Sequence, residues 1–165
     1  MEANLELYKN WYGTFLLNKF DLVQSAIIKG GWEPYVQDVY HKFLTKESIA
    51  VDVGAHIGFH TKRMADYAKK VYAFEPQKFL YNQLCANVIL NNYNDKIDCI
   101  NIALGETQKT TSFNPDNHEI TPQNYNLGGK SLDDSLGDNN IQVNTLDSFN
   151  LNPDFIKVDV EGYEL

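Results

Sequence analysis

Ile49-Ala50-Val51-Asp52-Val53, followed at once by Gly54-Ala55-His56-Ile57-Gly58, limits the possible folds more than any other segment. The run up to Val53 is rich in β-branched residues, too short for a helix and too apolar for a solvent-facing edge, so it reads as a buried strand. A helix is predicted next, from about Ile57 to Tyr67, with Ile57, Thr61, Met64, Ala65 and Ala68 on its inner side. Val71-Tyr72-Ala73-Phe74 repeats the buried-strand pattern and Glu75-Pro76 closes it. A second helix is expected from Lys78 to Leu90, where Leu80, Leu84, Cys85, Val88 and Ile89 share a face, then a third strand over Ile97–Ile102 and a fourth over Asp154–Val160. Strands alternating with helices of this length specify an α/β fold with a parallel sheet and right-handed crossovers.

The flanking segments are less regular. Residues 1–47 are expected to form an N-terminal helical arm, because Val36, Val39, Tyr40, Phe43 and Leu44 recur at helical spacing behind Pro34, and Gly30-Gly31 breaks an earlier helical stretch. Residues 48–165 then form the main domain. Between Gly105 and Asn140 the chain turns to Asn, Asp, Ser, Thr, Gly and Pro, which reads as either a functional lid or a disordered segment. Asn126-Leu127-Gly128-Gly129-Lys130-Ser131 is placed to cover a site, and Ile141–Leu146 alternates like a strand.

With 14 basic against 22 acidic residues, a net charge of -8 and a pI near 4.9, the chain lacks the clustered Lys and Arg that grip a phosphate backbone. No nucleic-acid partner is expected. The acidic start, and the lack of any apolar run near bilayer length, predict a soluble, cytoplasmic protein without a membrane partner. Cys85 and Cys99 have neither a disulfide framework nor metal-ligand spacing, so no metal site is expected.

The candidate site is the turn between the first strand and its helix. Glycines there let backbone approach a ligand, and the helix start offers free N–H groups to a negative group. His56 and Phe59 stand where a dinucleotide G-x-G-x-x-G fingerprint needs glycine, which disfavours a nicotinamide-dependent oxidoreductase. The spacing is instead D-x-G-x-x-x-G, with Asp52, Gly54 and Gly58. Glu75, at the tip of the second strand, is placed to accept both hydroxyls of a ribose. Turn and acid together describe a pocket for a nucleoside-bearing ligand at the carboxyl ends of parallel strands.

The run Val51–Thr61, Phe74-Glu75-Pro76, Ala103-Leu104-Gly105, Thr145-Leu146-Asp147 and Ile156–Glu164 resemble the FkbM-type methyltransferases, in the same order. The similarity begins at about Gly31-Trp32-Glu33-Pro34 and runs to the last residue. It implies a Rossmann-like methyltransferase fold with helices on both faces of a sheet ordered 3-2-1-4, lacking the last strands of the full fold. It implies S-adenosylmethionine as cofactor and O-methylation of a hydroxyl on a sugar or small metabolite, with a small-molecule or glycan acceptor. By this resemblance Asp52, Gly54, Ala55, His56 and Gly58 shape the coenzyme pocket, and Glu75 holds the ribose. Asp159 is expected to contact the coenzyme and Glu161 to act as base, since residues at i and i+2 of an extended segment point the same way. Asn101, ending the third strand, is a candidate adenine contact, and His56 and His60 either shuttle protons or are satisfied locally. An amino-methylating enzyme would carry N/D-P-P-F/Y where Asp159-Val160-Glu161-Gly162 stands, and a divalent-metal enzyme would want more oxygen ligands. The apolar edge left by the fourth strand invites a second copy or another partner. An inactive remnant that binds a nucleoside or a partner is the alternative reading.

Overall fold

The computed structural model describes residues 4–113, 126–129, 132–133 and 140–160. Its central sheet contains β3 (Ile49–Val53), β4 (Lys70–Phe74), β5 (Ile97–Ile100) and β10 (Phe155–Val158), in the order β10-β3-β4-β5 and parallel throughout. The connections from β3 to β4 and from β4 to β5 contain α3 (Phe59–Tyr67) and α4 (Lys78–Leu90). Met64, Ala65 and Ala68 meet Leu84, Val88, Ala50, Val71 and Ala73 in one buried cluster, so both crossover helices lie on one face of the sheet. Two right-handed crossovers stepping in the same direction must do this. Among the described residues the other face, carrying Val51, Val53 and Phe74, is covered by Leu104 and by Leu146, Phe149 and Leu151 around a short 3-10 turn. Among the described residues, α-helices pack on one face of this sheet, where the sequence reading expected them on both.

The N-terminal arm is only partly helical. α1 (Leu22–Lys29) and α2 (Pro34–Phe43) form as expected, but β1 (Leu5–Asn10) and β2 (Gly13–Asn18) make an antiparallel hairpin where a helix was expected. The reason is visible in β2, where Phe15 and Leu17 alternate into the core against Ile27, Ile57, Phe59 and Leu80. Asn10 Oδ1 accepts from Tyr12 N at 2.9 Å within the turn. Among the described residues the free edge of β2 is not paired to another strand. Amide side chains one and two turns apart on α4 take that place: Gln83 Nε2 donates to Leu16 O (2.7 Å), Asn87 Oδ1 accepts from Leu16 N (2.6 Å), and Asn91 both accepts from Thr14 N (3.0 Å) and donates to Thr14 O (2.7 Å). Asn87 Nδ2 also donates to Ile57 O at 2.9 Å, so one amide ties the hairpin to the turn after β3.

The stretch after Gly105 is not all loop. β6 (Ala103–Leu104), β7 (Lys109–Phe113), β8 (Leu132–Asp133) and β9 (Ile141–Asn144) build a second sheet in the order β6-β9-β7-β8. β7 escaped notice because its Lys-Thr-Thr-Ser-Phe lacks an apolar face, although Thr111 and Ser112 are buried. No helix among the described residues is long and apolar enough to cross a membrane.

Replacing Asn87 with Ala would strand Leu16 N and Ile57 O, and is expected to lower the unfolding free energy by about 2–4 kcal/mol. Urea denaturation followed by circular dichroism checks this, and a loss well under about 1 kcal/mol would contradict the assigned role.

Candidate functional site

The tips of β3 and β4 converge. Gly54 N and Ala55 N both donate to Phe74 O, at 3.0 and 2.9 Å, which turns the chain away from the sheet directly above Glu75. Gly54 has φ 77, and a Cβ there would sit 1.9 Å from Asp159 O, so only glycine lets the end of β10 pass this close. Around these tips lies a cavity of about 230 Å³. Phe74, Ile102, Leu104 and Phe113 give it apolar lining. Glu75, next to Phe74 in the chain, lines it too, as do Trp32, Glu33, His60, Lys157 and Asp159.

Of the residues singled out from sequence, Gly54, Ala55, His56, Glu75 and Asp159 line this cavity. Asp52, Gly58 and Asn101 do not; each instead supports a lining residue or its loop. Asp52 is fully buried, accepting from Thr61 Oγ1 at 2.6 Å and from Lys157 Nζ at 3.1 Å. Gly58 caps α3 with φ 85, and a Cβ there would meet Leu84 Cδ1 at 2.5 Å, so it serves helix packing. Asn101 Nδ2 donates to the carbonyls of Glu75 and Pro76, at 2.8 and 3.0 Å, and fixes that corner of the chain rather than reaching into the cavity. Glu161 lies outside the described residues, as do Lys130 and Ser131.

Glu75 is almost fully buried, and backbone rather than cations holds it: His56 N donates to Oε2 and Gln77 N to Oε1, both at 2.8 Å. Burial raises its pKa to about 7, against the lowering effect of those two N–H groups. Each oxygen keeps capacity for another donor. His56 sits in the left-handed region (φ 53), its Nε2 has no hydrogen-bond partner among the described residues, and burial lowers its pKa, so the ring is neutral. Over it lies the 126–129 segment. Gly128 leaves room for the ring, Leu127 O accepts from Gln77 Nε2 at 2.8 Å, and Leu127 N donates to Asp21 Oδ2 at 2.8 Å.

Sequence reasoning passed over Lys157. Burial works against its charge, but Asp52 and Asp159 outweigh that and raise its pKa above the usual lysine value. Its signal was a lysine inside the apolar run Phe155-Ile156-Lys157-Val158, directly opposite Asp52 in the β10–β3 register.

The model of the methyltransferase FkbM domain matches residues 52–165, most of the chain and all of the turn, Glu75 and the end of β10. The chain belongs to this family. FkbM methyltransferases depend on S-adenosylmethionine, which is the cofactor of this fold. Among solved structures, Pyrococcus horikoshii TYW2 in complex with MeSAdo is 22% identical with a TM-score of 0.47, over 62% of this chain and 37% of that one. TYW2 of Methanocaldococcus jannaschii in complex with AdoMet is 25% identical (TM-score 0.44, over 59% of this chain and 43% of that one). The tRNA m1G37 methyltransferase of the same organism is 21% identical (TM-score 0.45, 61% and 30%). The chain therefore spans less than half the length of each of these structures. No curated protein matches it by sequence.

The raised pKa of Glu75 has a sign that can be checked. A carboxyl that binds its proton more tightly when folded stabilises the fold below the unfolded value of 4.5, and that contribution is lost as pH rises through about 7. The ligand-free FkbM domain should lose on the order of 3 kcal/mol from this group across that window. Glu75→Gln should lack the slope, as read from thermal or urea unfolding at a series of pH values.

Proposed function

We propose that this FkbM domain binds S-adenosylmethionine at the β3–β4 tips and methylates a hydroxyl oxygen on a sugar or small metabolite. The observation that carries the reading is Glu75, a buried carboxylate aimed by two backbone N–H groups into an apolar-walled cavity with acceptor capacity left over. That arrangement suits the two neighbouring hydroxyls of a ribose. Phe74, Ile102, Leu104 and Phe113 give the cavity apolar lining of the kind an adenine packs against. His56 Nε2, without a partner among the described residues, is a further buried polar atom that a ligand could satisfy.

When bound, the cofactor supplies a methyl group on a positively charged sulfur. The protein's task is then to align an acceptor oxygen with that carbon, exclude water and receive a proton. Asp159, beside Lys157 at 3.7 Å, contacts the coenzyme in this reading, and Glu161, two residues on, receives the proton. The 126–129 segment, anchored by Gln77 and Asp21, covers the His56 side of the cavity and limits solvent there. The acidic charge balance supports a small-molecule or glycan acceptor over a nucleic acid.

Calorimetric titration with S-adenosylmethionine tests the reading. Glu75→Ala is expected to weaken binding by about 1–3 kcal/mol, the worth of charge-assisted bonds to a sugar. Because ligand hydroxyls favour the ionised carboxylate, wild-type affinity should rise as pH is raised through about 7, and the variant should lack that rise. Absence of heat with the wild-type chain, or equal affinity in Glu75→Ala, would remove the proposal.

A further inference from the structure

Among the described residues, four other than glycine have positive φ: Glu33, His56, Asn92 and Asn150. The two asparagines are of a type that tolerates this region, whereas Glu33 (φ 46) and His56 (φ 53) both line the cavity, where strained backbone points to function. Glu33 stands immediately before α2, and its Oε2 lies 3.3 Å from Nε2 of His60 on α3. Despite this distance, His60 Nε2 makes no aligned hydrogen bond; among the described residues it is a buried polar atom without a partner, on a residue only 8% exposed.

The state of that nitrogen follows from the other side of the ring. Nδ1 is 2.9 Å from the hydroxyl of Tyr40, which is fully buried on α2. A buried phenol spends its proton on its available acceptor, so Tyr40 donates to Nδ1 and the ring proton resides on Nε2. Burial and the nearby Lys157 charge lower the His60 pKa to about 4, which keeps the ring neutral at physiological pH. The cavity therefore presents, side by side and unbonded to each other, a carboxylate and a neutral N–H donor. A ligand ammonium seated against this carboxylate gains a charge-assisted hydrogen bond that the adjacent uncharged imidazole does not supply. Asp159 differs, since Lys157 already faces it at 3.7 Å.

An anion beside a neutral donor is the complement of an α-amino acid, whose ammonium and carboxylate occupy neighbouring positions. Resting on the proposed cofactor reading, we infer that Glu33 and His60 hold the amino-acid end of S-adenosylmethionine. Glu33 accepts from the ammonium and His60 Nε2 donates to the carboxylate, while Tyr40 acts as a positioning residue that fixes the ring proton.

Two probes separate this site from the adenosyl end. S-adenosylhomocysteine carries the amino-acid group and 5′-methylthioadenosine does not, so the ratio of their affinities for the full chain reports Glu33 and His60, and the second compound alone reports the Glu75 end. Wild type is expected to prefer S-adenosylhomocysteine by roughly tenfold or more, the scale of one charge-assisted bond. Glu33→Gln and His60→Gln should each cost most of that preference while 5′-methylthioadenosine affinity stays within about twofold. Tyr40→Phe should cost part of it on the same terms. An unchanged ratio in Glu33→Gln, equal binding of both compounds by wild type, or loss of the preference in Asp159→Asn alone would overturn the inference. Failure of wild type to bind either compound would overturn the cofactor reading, and this inference with it.

Discussion

Lys157 and Asp52 face each other across the β10–β3 pairing, and their ion pair, buried where the two strands end, organises everything above it. Lys157 also reaches toward the carbonyl of Gly54 at 3.4 Å and the carboxylate of Asp159 at 3.7 Å, while Asp52 takes the hydroxyl of Thr61 from the first turn of α3. One contact thus couples β10, β3, the glycine turn and the helix that follows it. Taking two charges out of water is costly, and such a pair tolerates loss of one partner badly because the other is left buried and uncompensated. Its value here is positional: it fixes where the turn and the end of β10 stand relative to each other.

Upon that base the cavity divides its work by chemistry. The Glu75 wall is apolar and carries a single carboxylate oriented by backbone amides. Glu33, His60, Lys157 and Asp159 are among the cavity's further polar groups, drawn from the arm, from α3 and from the end of β10. The arm is consequently part of the site, since it contributes Trp32 and Glu33 to the wall and Tyr40 behind it.

What the sequence made legible follows from how each feature is encoded. Buried parallel strands announce themselves as short apolar runs, so Ile49–Val53, Val71–Phe74 and the helix over Lys78–Leu90 are found close to where they were read. Gly54 and Glu75 could be paired in advance because both lie at strand ends, where parallel topology brings them together. The hairpin was misread because its edge is satisfied by Gln83, Asn87 and Asn91, partners far away in the chain and of a residue type with no strand signal. Asp52 looked like a ligand contact because it belongs to the glycine motif, yet its charge is consumed by Lys157. Glu33, Tyr40 and His60 come from two elements and touch only after folding, so no local pattern marks them as a unit.

The amide ladder between α4 and β2 has one more consequence. Its members carry no formal charge, so neither salt nor proton concentration weakens it directly, in contrast to the carboxylates and imidazoles that surround the cavity. The attachment of the hairpin, and through Asn87 the anchoring of Ile57 in the turn, should persist under acidic or high-salt conditions that alter the cavity's charges. The scaffold and the site it supports are thereby sensitive to different properties of the solution.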